Sequence, residues 1–151
     1  MKLREIFFGP FVFLVVLGIT LLCRPAEAVF FGPYQLTAPI AVDGDTIRAD
    51  VTIWPAIIVD ASIRVVGVDT PELRASTACE RDLAVKAKAF TDTWIQTNQP
   101  LMIGAVKPDK YSGRYDDAVV TGKDGTSLTT ALIQAGIGRP YSGGARQGWC
   151  P

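Results

Sequence analysis

The residue types best equipped for chemistry fall in one stretch, Arg64-Val65-Val66-Gly67-Val68-Asp69-Thr70-Pro71-Glu72. Arginine offers a planar multi-donor fork for phosphate or carboxylate, and a carboxylate can hold a hard cation or accept a proton from water. The branched apolar residues read as a β-strand. Pro71 lacks a backbone N–H and biases Thr70 toward extended conformations, so the chain must leave the sheet there. Groups at such a strand end are positioned by the scaffold yet free to meet a ligand. Taken alone, the stretch is read more simply as a plain strand end with an ordinary surface ion pair. Two further pieces carry suitable groups: Asp43-Gly44-Asp45-Thr46, and Asp109-Lys110-Tyr111-Ser112-Gly113-Arg114. If the first two pieces belong to neighbouring strands of a meander, Asp45 and Asp69 meet at one end of the sheet and can share a cation.

What is missing narrows the chemistry. The sequence contains no histidine, which removes imidazole acid–base catalysis, serine–histidine and cysteine–histidine nucleophile pairs, and imidazole metal sites. Any metal is then expected on oxygen ligands, with Ca²⁺ or Mg²⁺ favoured over Zn²⁺.

The N-terminus has a basic start, an apolar run from Ile6 to Cys23 and a small-x-small end at Ala26-Glu27-Ala28. This layout predicts a secretory signal peptide over residues 1–28, with an uncleaved membrane anchor as the alternative. Cleavage after Ala28 removes three of the 15 basic and two of the 15 acidic residues, leaving a near-neutral single domain over residues 29–151. A polyanion must then be held by a local cluster of charge, because there is no global positive field. Cleavage also leaves two cysteines, Cys79 and Cys150, which in an exported chain most simply form one disulfide. Closing that loop contributes about 4 kcal/mol in the chain-entropy model.

These groups need elements to hold them. Gln35 to Val42 reads as a strand followed by the Asp43-Gly44 turn signal, and a second strand runs from Asp45 to Ile53 through Ile47, Ala49, Val51 and Ile53. Trp54-Pro55 interrupts it, and a third strand from Ile57 to Val68 completes an antiparallel meander. Glu80 to Asn98 is a helix, with Leu83, Ala87, Phe90 and Trp94 on its core face and Ser76 or Thr77 as its cap. Leu101 to Val106 and Arg114 to Thr121 are two further strands, joined by a polar loop from Lys107 to Gly113. Thr126 or Ser127 caps a second helix that stops at Gly136, and a tail rich in Gly and Arg follows. This order of elements fits a mainly β, α+β fold: a five-stranded OB-fold barrel with two helices. Such barrels host many functions, so function must be read from the site.

Together the pieces resemble the staphylococcal nuclease (thermonuclease) family, from about Gln35 to Gly138. The specific signal is Val68-Asp69-Thr70-Pro71-Glu72 with Arg64 upstream; Asp43-Gly44-Asp45-Thr46, the Lys110-Tyr111-Gly113-Arg114 piece and the Asp124 to Gly136 segment follow the same order. The resemblance implies a Ca²⁺ site made by Asp45, Asp69 and the Thr70 carbonyl, with Glu72 deprotonating the attacking water. It implies that Arg64 and Arg114 grip the scissile phosphate, and that Lys110, Tyr111 and Tyr141 contact the substrate. Ser112 stands where the family commonly has no residue, and the loop is expected to absorb it. The implied protein is a secreted or periplasmic monomeric endonuclease, hydrolysing DNA and RNA, preferably single-stranded, to 3′-phosphate ends. A silent OB-fold module that binds nucleic acid or protein is the alternative. The terminal helix of the best-known members is missing, and a Cys79–Cys150 bond is expected to pin the tail in its place.

Overall fold

The computed structural model of the chain describes residues 32–108 and 114–151, with residues 108 and 114–117 as backbone only. The expected signal peptide and two of the expected substrate residues, Lys110 and Tyr111, lie outside the described residues. In chain order the elements are β1 (Tyr34–Ala41), β2 (Thr46–Trp54), β3 (Ile57–Val65), β4 (Val68–Asp69), α1 (Ala78–Thr97), β5 (Met102–Gly104), β6 (Lys107–Pro108), β7 (Arg114–Thr121), α2 (Leu128–Gln134) and β8 (Arg139–Pro140).

Strands β1, β2 and β3 form the antiparallel meander. β3 then pairs in parallel with β7, β7 pairs antiparallel with β5, and β5 returns to β1. Five strands thereby close on themselves, which removes the free sheet edges that would otherwise template association. Alternation along β2 and β3 explains the closure: Ile47, Ala49 and Val51 face inward from β2, and Ala61, Ile63 and Val65 from β3. Leu36, Leu101, Ile103, Val120, Leu128 and Leu132 complete the interior. Burying each of the larger side chains stabilises the fold by about 1.5–3 kcal/mol.

The expected inward face of β2 fails at its end, because Ile53 is exposed. The β1 ladder stops at Leu36–Val51, so the β2–β3 hairpin beyond that point pairs with itself and leaves Trp54, Ile57 and Ile58 outside. The helical face is also rotated slightly from expectation. Ala84, Ala87, Thr91, Trp94 and Ile95 are the buried residues of α1, whereas Leu83 and Phe90 are half-buried. Small side chains at 84 and 87 let the helix sit close to the barrel, and Thr91 Oγ1 donates to the Gly44 carbonyl at 2.7 Å. Thr77 caps α1 by accepting from the Glu80 N–H, and Ser127 caps α2 by accepting from Thr130.

The largest departure from expectation is at the strand end. β3 stops at Val65 instead of Val68, because Gly67 adopts φ +84° and turns the chain. Val68–Asp69 then becomes a separate strand, β4, paired antiparallel with β8 from the tail. The tail is therefore built into the fold at the same residues that carry the central motif. The disulfide between Cys79 and Cys150 ties its end to the start of α1, as expected from the cysteine count.

Candidate active site

The site is built where β2 begins and β3 gives way to β4. Asp43 accepts from the Asp45 N–H at 3.1 Å, closing the turn that delivers Asp45 to the barrel end. Asp45 is 2% exposed, and its own carbonyl accepts from the Val65 N–H at 2.8 Å, locking this turn to the end of β3. Thr46 and Arg64 are direct cross-strand partners. This register carries Arg64 Nη2 to 3.2 Å from Asp45 Oδ2, while Thr46 Oγ1 donates to Oδ1 at 3.2 Å. A Cβ on Gly44 would lie 2.7 Å from Thr70 Oγ1 and 2.8 Å from Ala87 Cβ. Glycine is thus required for the turn, the Thr70 segment and α1 to meet.

Asp69 is 1% exposed and Thr70 is 2% exposed. Pairing of β4 with β8 sets Asp69 opposite Arg139, whose Nε and Nη2 both lie 3.2 Å from Oδ2. Arg139 is held in turn by the Gly148 and Gln147 carbonyls and by the Trp149 ring, whose centroid lies 4.0 Å from its guanidinium carbon. The other oxygen, Asp69 Oδ1, has no hydrogen-bond partner although it is buried. Arg146 Nε approaches it to 3.2 Å without hydrogen-bond alignment, and Arg146 Nη1 pairs with Glu72 Oε1.

Pro71 is buried and Glu72 emerges just after it with a side chain 42% exposed. Its backbone is fixed on both sides: the Glu72 N–H reaches Glu80 Oε1 at 3.4 Å, and its carbonyl accepts from Ala75 at 3.0 Å. The structure therefore brings Asp45, Arg64, Asp69, Thr70 and Glu72 to one end of the barrel. Arg114 opens β7 beside Ser62 of β3, the strand that carries Arg64, and only its backbone is described. Tyr141 lies in the tail after β8; its hydroxyl donates to the Gly144 carbonyl at 2.7 Å, and Arg146 lies 6.0 Å from its ring centroid.

Burial, opposed by Arg64 and Arg146 and reinforced by Asp43, leaves the Asp45 carboxyl pushed up to about 6. Asp45 and Asp69 are both buried carboxylates, and Asp69 Oδ1 lacks a hydrogen bond; hard oxygen donors of this kind suit a divalent ion such as Ca²⁺. Among the described residues no group of three or more acidic, cysteine or histidine side chains is placed to hold a metal ion. Two side-chain carboxylates with a carbonyl and water remain compatible with Ca²⁺, which accepts mixed oxygen ligands.

Residues 62–147 match the family described as staphylococcal nuclease homologue. The chain belongs to the staphylococcal nuclease family. The matched span contains Arg64, Asp69, Thr70, Glu72 and Arg114 as well as Arg139 and Arg146, and begins after Asp45. No curated protein matches the chain. The family's nuclease chemistry accords with a barrel end that gathers carboxylates and arginines.

Sequence reasoning did not place Arg139 or Arg146 at the site. The available signals were an arginine-rich tail and a cysteine at its end. Neither indicates that the tail would pair with Asp69.

Proposed function

We propose that this nuclease-family protein is a Ca²⁺-dependent endonuclease that hydrolyses phosphodiester bonds in DNA and RNA, preferably single-stranded, leaving 3′-phosphate ends. The observation that carries the reading is the convergence of Asp45, Asp69, Glu72 and Arg64, with Asp69 Oδ1 buried and lacking a hydrogen bond. Asp45, Asp69 and the Thr70 carbonyl are the groups that would hold the ion. Bound there, Ca²⁺ would supply charge neutralisation and polarisation at a phosphate oxygen.

The remaining roles fall to the chain's own groups. Glu72 accepts the proton of the attacking water, a task suited to a half-exposed carboxylate fixed by its backbone. Arg64 sits a quarter exposed beside Asp45, so it can keep one donor on the carboxylate and offer others to the phosphate. Arg114 is assigned the same phosphate, and Lys110, Tyr111 and Tyr141 the flanking nucleotide. The protein acts as a secreted or periplasmic monomer, with an anchored form as the alternative if residues 1–28 are retained. No helix among the described residues is long and apolar enough to cross a membrane.

End-group analysis of digested oligonucleotides tests the bond assigned to cleavage. The expected products carry 3′-phosphate and 5′-hydroxyl ends. Products with 5′-phosphates contradict the assigned direction of attack, and intact but tightly bound oligonucleotide favours the silent binding barrel.

A further inference from the structure

The tail contributes two arginines to the carboxylates, and they are held in different ways. Arg139 is fully engaged: Nε and Nη2 are on Asp69 Oδ2, Nη2 also reaches the Gln147 carbonyl, Nη1 reaches the Gly148 carbonyl, and Trp149 covers its guanidinium. It has the character of a fixed support that leaves Oδ1 facing the site. Arg146 is different. Its side chain is 35% exposed, and among the described residues it pairs with the two carboxylates Asp69 and Glu72. It stands on a short loop between Gly143 and Gly144, both at positive φ, and the Cys150 end of the tail. Glycine tolerates that conformation without strain; the Tyr141 hydroxyl on the Gly144 carbonyl holds the base of the loop and the disulfide its end.

Arg146 therefore occupies the face of Asp69 that is buried and not hydrogen-bonded, and also neutralises Glu72. We infer that Arg146 is a tethered counter-ion, holding Asp69 Oδ1 and Glu72 in the cation-free protein and giving up Oδ1 when that oxygen takes a divalent cation. The inference rests on the cation-site reading above. It follows from charge: a guanidinium and a divalent ion brought to the same carboxylate oxygen repel each other, and Nε at 3.2 Å without alignment is the weaker claim. Arg139 keeps Oδ2 throughout, so Asp69 does not swing away when Arg146 leaves.

Calorimetric titration of the purified chain with CaCl₂, without nucleotide, tests this. Arg146→Gln removes the competing charge, so Ca²⁺ should bind more tightly, with Kd lower by roughly threefold to tenfold, as expected for removal of a partly exposed charge at an ion pair. Arg146→Lys, which keeps the charge, should stay near the parent value. Matching thermal unfolding of the three proteins would show the same fold in each. Loss of structure cannot tighten binding, so the sign of the change separates this role from a merely structural one. Equal or weaker Ca²⁺ binding by Arg146→Gln overturns the inference alone. Heat-silent and Ca²⁺-insensitive behaviour in all three proteins overturns the cation-site reading and the inference with it.

Discussion

Glu72→Gln is expected to lower turnover by a factor on the order of 10² or more while leaving Ca²⁺ affinity and thermal stability close to those of the parent protein. The physical grounds lie in how Glu72 is held. Its main chain is fixed by Glu80 and Ala75, and its side chain is exposed enough that neither packing nor burial depends on the charge. Glutamine has nearly the same shape and keeps an oxygen for Arg146 Nη1, so the local geometry should persist. What it cannot do is take a proton from water. Single-turnover hydrolysis, measured beside Ca²⁺ titration and a melting curve, distinguishes loss of the base from loss of the fold. An unchanged rate would remove Glu72 as the proton acceptor.

Arg64→Lys is expected to reduce kcat/KM by about 10²-fold, the order found when one preorganised donor to a developing oxyanion is removed. The substitution keeps a positive charge next to buried Asp45, so it avoids leaving a carboxylate buried and unpaired, which would itself be costly. It removes the planar fork. A guanidinium with one nitrogen on Asp45 retains others for phosphate, whereas a compact ammonium divides the same charge between both partners. The effect should appear in the chemical step more than in Ca²⁺ binding. Full activity in this variant would contradict the phosphate-clamp role, and a large fall in Ca²⁺ affinity would assign Arg64 to arranging Asp45.

The barrel was readable in the sequence because its strands and helices carry their own periodicity. Ile47, Ala49 and Val51 alternate, Leu83 to Trp94 recur at helical spacing, and Asp43-Gly44 marks a turn by its chemistry. The meeting of Asp45 with Arg64 was readable for the same reason. A meander with a tight turn places the start of its second strand beside the end of its third. The tail was not readable in this way. Arg139 meets Asp69 across a sequence separation of 70, through two strands of two residues each, too short to show alternation. Gly67 also ended β3 earlier than its apolar neighbours indicated, since positive φ is a property of the turn and not of the hydrophobic pattern. Arg146 sits in a glycine-bearing loop where no period exists to be read. Its place is set by the covalent tie at Cys150 and by the charges it faces.

The central claim is that a divalent cation on Asp45 and Asp69 enables the arginines and Glu72 to hydrolyse a phosphodiester. Digestion of single-stranded DNA by the purified chain, in added Ca²⁺ and then in excess chelator, tests it most directly. The account predicts hydrolysis in Ca²⁺ that stops in chelator and returns when Ca²⁺ is restored. Undiminished hydrolysis in chelator, or none in saturating Ca²⁺ by a folded protein, would contradict it.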